Sequence, residues 1–402
     1  MKSNMVILNG ARTPLAEYSG TQGYGKLKDV TACQLGAVAG REAIKRSGVE
    51  PGLIDQVFMG NANQAGTDAL YGARDVMLRI EGIPLSTPAL TVNRLCGSGA
   101  QAVVSGCHAI MAGEAQFALV GGMESMSQTP HVIRGMRGTS LRFGQNLNIE
   151  DALFSSLKHG LIDMAMAQTA EKLARQYGIT REECDRFAFE SQQKAKAAVD
   201  KKLFDAEKVA VEVPERKGPP TRVWDDDHMK PDTTLAALAS LKPAFGQDGL
   251  VTAGNASGIV DGAACLVITT EEQASKRKLK PLARIVSWGI AGVDPTVMGI
   301  GPAPSTRMAL DRAGLKLNDM GMFEINEAFA PQAAAVVKEL EIDPAKVNVN
   351  GGAIALGHPL GATGAILTLK LALEMQRRNV RYGVSTMCIG GGQGITLIIE
   401  KA

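Results

Sequence analysis

The sequence predicts an α/β protein made of two similar halves with an inserted segment between them. Helix patterns alternate with short apolar strands, which is typical of α/β proteins with a mainly parallel sheet. One helix pattern covers residues 29–46 and precedes an apolar strand at 57–59, and another covers 99–112 and precedes a strand at 117–120. The chain has 402 residues, and this length exceeds what one core usually supports, so two or three domains are expected.

A repeat at a nearly constant spacing indicates the two halves. The segment A-I-K-R-S-G-V at 43–49 resembles A-L-D-R-A-G-L at 309–315, which lies 266 residues later. The same offset carries the strand at 57–59 onto 323–325, and an offset of 265 carries 117–120 onto 382–385. An offset held this long predicts an internal duplication rather than a solenoid.

The duplication sets the expected domain boundaries. Residues 1–124 form an N-terminal half, completed by about 249–272, and residues 273–402 form a C-terminal half. The charged, Met-rich stretch 125–248 differs from both and is expected to be an inserted domain that covers the site. A surface decoration without a function is the alternative. Two helix patterns, at 164–177 and 181–201, lie within this stretch.

The composition excludes several classes of protein. A net charge of +2 with 21% charged residues indicates neither a nucleic-acid binder nor a membrane-surface protein. The six cysteines form no C-x-x-C pair and no cluster with zinc spacing, so no metal site is expected. The apolar run near the N-terminus, residues 6–8, is too short for an export signal. We therefore expect a soluble cytoplasmic protein with reduced thiols.

Cys96 lies where a strand pattern passes into a helix pattern, in the segment T-V-N-R-L-C-G-S-G-A. Backbone N–H groups and the helix dipole favour an anion at a helix N-terminus, so this thiol is expected to ionise more easily than free cysteine. Gly97 and Gly99 are expected to allow a sharp turn and to admit a substrate. These features predict a nucleophile, and a cysteine packed in the core is the alternative.

A second cluster surrounds His358, in the segment N-G-G-A-I-A-L-G-H-P-L-G-A-T-G. The repeat maps Cys96 to residue 361, three residues past this histidine. If the halves pack about a pseudo-twofold axis, the two strand–helix junctions face each other across a cleft. This placement predicts a site residue rather than a structural histidine.

Two further clusters follow strand patterns. The glycines in C-I-G-G-G-Q-G at Cys388 can turn backbone N–H groups into a site, as in an oxyanion hole, and a tight turn at a sheet end is the alternative. Asn326 and Glu327 follow the strand at 323–325. This polar pair fits a helix N-cap or a site element, and the sequence leaves both open.

These four clusters resemble the active-site loops of the thiolases: C-G-S-G at Cys96, N-E-A-F at Asn326, G-H-P at His358 and C-I-G-G-G at Cys388. They occur in the family's order, and the resemblance extends from A-R-T-P at 11–14 through V-T-A-G-N-A-S-G at 251–258 to the C-terminus. Ketoacyl synthases share the duplicated fold but pair the nucleophile with two histidines. The resemblance implies a five-layer α-β-α-β-α fold whose inserted loop domain binds CoA and contributes oligomer contacts.

The resemblance also implies chemical roles. Cys96 takes the acyl group as a thioester, His358 accepts its proton, and Cys388 exchanges the α-proton of the second acyl-CoA, which suits a thiol with a pKa near the operating pH. Backbone N–H groups of Cys96 and Gly390 hold one oxyanion. His358 and a water positioned by Asn326 hold the other.

A CoA and acyl site is implied in the same way. Ser257 and Phe245 match positions along the pantetheine arm, and Lys230 falls where a basic residue can reach the CoA phosphates. The other expected substrate contacts are Ala165, Met166, Met298 and Phe329. CoA is a substrate here, so no cofactor is expected.

The segments A-M-A-Q at 165–168 and M-G-I-G-P at 298–302 look more like the broad-range 3-ketoacyl-CoA thiolases than the acetoacetyl-CoA-specific type, which carries His-Met-Gly at the first position. The small Ala165 leaves room beside an acyl chain. The expected activity is reversible thiolysis of 3-ketoacyl-CoA, including acetoacetyl-CoA, to acetyl-CoA and a shortened acyl-CoA.

Two other functions compete with this one. A short-chain acetyl-CoA C-acetyltransferase would use the same residues to condense two acetyl-CoA. A silent carrier or sterol-binding scaffold would have little reason to keep all four site residue types. A homodimer or homotetramer is expected, since the basic loop at 131–142 resembles the segment that can pair dimers in this family.

Overall fold

The computed structural model describes residues 4–64, 66–137, 142, 144–246 and 248–402, so part of the basic loop expected at 131–142 lies outside it. The helices are α1 (Ala32–Ser47), α2 (Ala73–Leu78), α3 (Ser98–Met111), α4 (Ala152–Ser156), α5 (Met166–Tyr177), α6 (Arg181–Asp200), α7 (Leu235–Ala239), α8 (Glu271–Lys276), α9 (Pro302–Ala313), α10 (Ala330–Glu339), α11 (Ala353–Leu356) and α12 (Thr363–Arg378). The strands are β1 (Met5–Arg12), β2 (Ala16–Glu17), β3 (Gln56–Gly60), β4 (Ala89–Val92), β5 (Phe117–Glu124), β6 (His131–Ile133), β7 (Ile149–Asp151), β8 (Lys158–His159), β9 (Met164–Ala165), β10 (Val211–Val213), β11 (Thr221–Val223), β12 (Val260–Thr270), β13 (Ala283–Gly292), β14 (Met322–Ile325), β15 (Tyr382–Ile389) and β16 (Gln393–Lys401).

One large mixed sheet runs through the molecule in the order β14-β15-β16-β13-β1-β12-β5-β3-β4, with β2 paired to β12. Among the described strands, β3 is parallel to β4 and β5, and β14 is parallel to β15. The other pairs of this sheet are antiparallel. The expectation of a mainly parallel sheet was therefore wrong. The antiparallel strands β12 and β16 are largely buried apolar runs. A buried apolar run has the same sequence pattern in a parallel and in an antiparallel pair.

The internal duplication is confirmed by the order of elements. The strand series β3-β5-β12-β1 of the first half corresponds to β14-β15-β16-β13 of the second. The offset of 265 expected from the sequence carries the start of β5 onto β15 and the start of α3 onto α12. Strands β1 and β13 pair antiparallel and join the halves into one sheet.

Helices and sheet form five layers, as expected. Helices α3 and α12 pack against each other in the middle, between the strands of the two halves. Helix α1 covers the outer face of β1, β5 and β12, and α9 with α10 covers the outer face of the second half. Thr31 caps α1 through a capping box with Gln34, and Gly48 ends the helix in a left-handed conformation, φ 70°.

The segment between the halves packs beside the second half. Helices α5 and α6 contact α10, and α6 also contacts α11. Buried Arg12 connects the first strand to this segment, because its guanidinium donates to Glu207 and to Asp226, each at 2.7 Å. In the described part of the chain, no helix is both long and apolar enough to cross a bilayer.

Candidate active site

All four sequence clusters line one cavity of 280 Å³. The Asn326 cluster contributes Ala328 and Phe329 to the lining, and Asn326 itself contacts His358. Nine of the expected site residues line this cavity: Cys96, Ala165, Met166, Phe245, Ser257, Met298, Phe329, His358 and Cys388. The repeat therefore placed the Cys96 and His358 junctions correctly, on the walls of one cleft.

The Cys96 junction is a tight elbow between β4 and α3. A single 3₁₀ turn, Leu95–Gly97, connects them, and Leu95 adopts a left-handed φ of 45°. The Ser98 hydroxyl donates to Leu95 O at 2.6 Å and accepts from Arg94 N–H at 2.8 Å, which holds this conformation. Leu95 is strained for a residue with a Cβ, and the elbow presents the Cys96 sulfur to the cavity.

The glycines beside Cys96 serve packing rather than turning, which corrects the expectation. Neither Gly97 nor Gly99 has a positive φ. A Cβ on Gly97 would lie 2.6 Å from Ile389 Cδ1, and a Cβ on Gly99 would lie 2.8 Å from Ala365 N. Both glycines thus allow the second half of the duplication to approach the start of α3 closely.

The Cys96 thiol does not ionise easily, contrary to the expectation from its helix N-terminus. Burial raises its pKa to about 11, and the negative charge of Glu124 adds to this. Hydrogen bonds from the backbone N–H groups of Gly390 and of Cys96 itself lower the pKa, but they offset burial only in part. The free thiol is therefore neutral at physiological pH, and a proton acceptor is needed when it attacks.

His358 is held as a neutral base with a defined tautomer. Its Nδ1 lies 2.6 Å from Thr363 Oγ1, whose own hydrogen goes to Pro359 O at 3.1 Å. Its Nε2 lies 3.3 Å from Asn326 Nδ2, an amide donor. Both contacts fit a ring protonated at Nδ1, with an unprotonated Nε2 that accepts from Asn326. Burial lowers the pKa of His358 to about 4, which keeps the ring neutral.

Cys388 ends a buried strand beside the cavity. It is fully buried in β15 and packs with Met298 and Ala328. Its pKa is raised, first by burial and second by the charge of Cys96 when that thiol ionises, so the expected pKa near the operating pH is not present in the free protein. The glycines that follow do form a tight turn, since Gly391 and Gly392 have φ of 83° and 86°. The N–H of Gly390 also reaches Cys96, so the turn and a hydrogen-bonding role coexist.

Asn326 is a site element and not a helix cap. Helix α10 begins only at Ala330, with Phe329 at the N-cap position. The Asn326 backbone N–H donates to Thr386 O at 2.9 Å, which fixes the residue at the end of β14. Its side chain is fully buried and contacts His358, and its Oδ1 has no hydrogen-bond partner among the described residues.

Lys230 lies apart from the residues that line the cavity. Its ammonium donates to the Tyr24 hydroxyl at 2.6 Å and lies 3.8 Å from Glu17 Oε2, with half of the side chain exposed. The contact expected with CoA phosphates stays a prediction for this residue.

The sequence analysis missed two kinds of site residue. Thr363 lies five residues after His358 and orients its ring. It belongs to the Gly-Ala-Thr-Gly run, in which only the glycines had suggested a role. An apolar wall beside Cys96 was missed as well, because its residues come from four separate segments: Met126, Phe154, Leu157, Ile259 and Leu360.

One group elsewhere has metal-ligand atoms close together. The ligand atoms of Cys33, Asp68 and Asp75 lie within 4.8 Å of one another. Arg79 already pairs with both carboxylates, at 3.7 Å from Asp68 and 2.8 Å from Asp75. The guanidinium thus supplies the positive charge that a cation would bring.

Comparison with family models and known proteins agrees with this geometry. The model of the thiolase N-terminal domain matches residues 5–272, and that of the thiolase C-terminal domain matches residues 279–401. Mitochondrial 3-ketoacyl-CoA thiolase of Homo sapiens is 49% identical over 396 residues, 98% of each chain. An acetyl-CoA acetyltransferase of Pseudomonas aeruginosa is 44% identical over 398 residues, 99% of each chain.

Solved structures extend the similarity to the fold. The crystal structure of human mitochondrial 3-ketoacyl-CoA thiolase in complex with CoA matches with a TM-score of 0.95 and 46% identity, over 100% of this chain and 99% of that one. The Bacillus anthracis acetyl-CoA acetyltransferase matches with a TM-score of 0.95 and 42% identity, over 100% and 99%.

Proposed function

Since the chain belongs to the thiolase family, we propose that it carries out reversible thiolysis of 3-ketoacyl-CoA by a ping-pong mechanism through an S-acyl Cys96. The observation that carries this proposal is the meeting of Cys96, His358 and Cys388 on one cavity, with Asn326 against the histidine. A nucleophile, a neutral base and a second thiol are the groups that the two half-reactions require.

In the first half-reaction, Cys96 Sγ attacks the 3-keto carbon of the substrate. The thiol proton passes to Nε2 of His358, which is unprotonated in the tautomer favoured by Thr363. The backbone N–H groups of Cys96 and Gly390 already point at the sulfur and are placed to hold the oxyanion formed on the attacked carbon. When the carbon–carbon bond breaks, the enolate oxygen of the departing acetyl-CoA would be held by His358, now protonated on Nε2, and by a water that Asn326 positions. Cys388 gives its proton to the α-carbon, and acetyl-CoA leaves.

In the second half-reaction, the thiol of CoA attacks the S-acyl group on Cys96. Cys388, left as a thiolate by the first step, accepts the proton of the incoming CoA thiol. Collapse of the tetrahedral intermediate breaks the bond to Cys96 and releases the shortened acyl-CoA. The same N–H groups of Cys96 and Gly390 would hold the oxyanion of this intermediate, and the protonated His358 returns its proton to Cys96.

The wall beside Cys96 favours substrates longer than acetoacetyl-CoA. Met126, Leu157 and Leu360 form an apolar surface next to the sulfur, and Ala165 contributes only a methyl group to the lining. Burying acyl carbons against such a wall stabilises a bound chain by roughly 0.8 kcal/mol per CH₂. The short-chain acetyl-CoA C-acetyltransferase stays the second candidate, because the Pseudomonas aeruginosa relative carries that name.

The experiment is a set of CoA-dependent cleavage assays on 3-ketoacyl-CoA from four to sixteen carbons (roughly the range of fatty acyl chains). The proposal predicts that kcat/KM holds or rises beyond four carbons. Cleavage of acetoacetyl-CoA alone would assign the short-chain activity, and no cleavage at any length by folded protein would refute the proposal. We propose that CoA is the only small molecule needed besides the acyl substrate, so full activity should persist after treatment with EDTA and gel filtration.

We also propose a homodimer or homotetramer. Strand β4 lies at one edge of the sheet, where strands invite pairing with another chain. Large apolar side chains stand exposed on and beside this edge: Leu70, Tyr71, Leu85 and Leu90. Light scattering after gel filtration should give a mass of two or four chains, and Leu90→Arg should lower it.

The cytoplasm is our proposed compartment, and the human relative is named as mitochondrial, so cell fractionation decides between them.

A further inference from the structure

Glu124 is a buried carboxylate at the end of β5, in the first half of the duplication, and no described residue forms an ion pair with it. Each of its oxygens accepts two hydrogen bonds. Oε1 accepts from Asn61 Nδ2 at 2.8 Å and Asn63 N–H at 3.0 Å, and Oε2 accepts from Ala62 N–H at 3.0 Å and Gly361 N–H at 2.8 Å. Gly361 lies in the second half, three residues after His358.

Glu327 is a second buried carboxylate, and it binds the backbone of the residues just before His358. Its Oε2 accepts from Ile354 N–H at 3.1 Å, four residues before His358, and from the Ser191 hydroxyl at 2.6 Å. Ser191 Oγ in turn accepts from Gly352 N–H at 3.0 Å. Glu327 also directly follows Asn326, which contacts Nε2 of His358.

We propose that Glu124 and Glu327 are positioning residues that clamp the segment carrying His358, one at each end and one from each half of the duplication. Glu124 fixes the segment after the histidine against the Cys96 side of the cleft. Glu327 fixes the segment before it, together with Asn326. The base therefore keeps its place relative to the Cys96 sulfur while acyl groups enter and leave. This inference rests on the role of His358 proposed above.

The donor set at Glu124 favours an ionised carboxylate, although burial raises the pKa of Glu124 to about 7. All four of its hydrogen-bond partners in the described chain are N–H donors, and none of them offers an acceptor to a carboxyl proton or an amide NH₂. Glutamine has the same shape, but its NH₂ would face two of these donors. The Cβ that Gly361 lacks would lie 2.6 Å from Met123 O, so the clamped turn has little room to shift without moving the whole segment.

The test compares Glu124→Gln with a matched control, Glu207→Gln. Glu207 is also buried, but its partner is the Arg12 guanidinium, away from the segment that carries His358. We expect Glu124→Gln to lower kcat for acetoacetyl-CoA thiolysis by about tenfold or more, because an ångström-scale misplacement of a catalytic group is costly. KM should stay within about twofold, since the residue does not line the cavity. Glu207→Gln should lower the melting temperature and leave kcat unchanged.

A kcat for Glu124→Gln within twofold of wild type would overturn the clamp. If this variant does not fold, Ser191→Ala carries the test, because it removes only the hydroxyl between Glu327 and Gly352 N–H. It should lower kcat severalfold at unchanged KM, and an unchanged kcat would overturn the clamp. His358→Ala, measured in the same assay, separates a failure of the proposed mechanism from a failure of the clamp. Turnover retained there contradicts the proposed mechanism, whereas turnover lost there but kept in the clamp variants contradicts this inference alone.

Discussion

Replacing Thr363 by Val removes the hydroxyl that accepts the Nδ1–H of His358 at 2.6 Å and keeps the shape of the side chain. The reactive tautomer then carries a buried N–H without a partner, which costs about 1–3 kcal/mol. The other tautomer places its hydrogen on Nε2, where it cannot accept the Cys96 proton. At 1.36 kcal/mol per factor of ten, kcat/KM should fall by roughly 5- to 150-fold. Initial rates of acetoacetyl-CoA cleavage measure this directly.

Thr368→Val is the matched control for this prediction. Thr368 is a buried threonine on the same helix, and its hydroxyl donates to Gly364 O at 2.7 Å without touching the site. Both variants should lose about 1 kcal/mol of stability in urea unfolding, from one buried hydrogen bond each. Only Thr363→Val should lose activity. If both variants keep the wild-type kcat/KM within twofold, the Thr363 contact does not set the tautomer and the argument is refuted.

Three further results are expected. The pKa of Cys96 is raised to about 11, and only the thiolate reacts with iodoacetamide. The rate of alkylation of Cys96 in the free enzyme should therefore rise about tenfold per pH unit between about pH 7 and 9. A plateau of this rate near neutral pH would contradict the raised pKa. Ala165→Phe should reduce kcat/KM for long-chain substrates far more than for acetoacetyl-CoA, since it fills the cavity beside the acyl chain; an equal loss at every length would exclude this role. Arg12→Leu should lower the free energy of unfolding by about 3–5 kcal/mol, because two buried carboxylates lose their cation; a loss well below 1 kcal/mol in urea unfolding would show that they find other partners.

The repeated parts of the fold were predicted from the sequence. The duplicated offset located β5 and β15, and the strand-to-helix junctions it implied meet at the cavity. The direction of the long return strands could not be read in the same way. Ten of the eleven residues of β12 are buried, as are six consecutive residues of β16, so these runs show no alternation that would reveal how they pair.

The residue types and their motifs predicted which side chains meet at the site, but they did not predict the thiol pKa. Cys96, His358 and Cys388 were found from glycine-rich turns after strands. The helix N-terminus at Cys96 suggested an acidic thiol, but the thiol pKa depends on burial by residues from distant segments, such as Ile259 and Leu360. Burial of this kind is a property of tertiary packing, so no local motif contains it.

The most direct test of the central claim is the intact mass of the protein after mixing with a 3-ketoacyl-CoA in the absence of CoA. Transfer through Cys96 predicts release of acetyl-CoA and a mass gain equal to the shortened acyl group. Peptide mapping should place this gain on Cys96, and added CoA should remove it. Cys96→Ala should show no gain, no acetyl-CoA and no turnover. A mass gain that persists in Cys96→Ala, or turnover without Cys96, would contradict transfer through an S-acyl cysteine at this position.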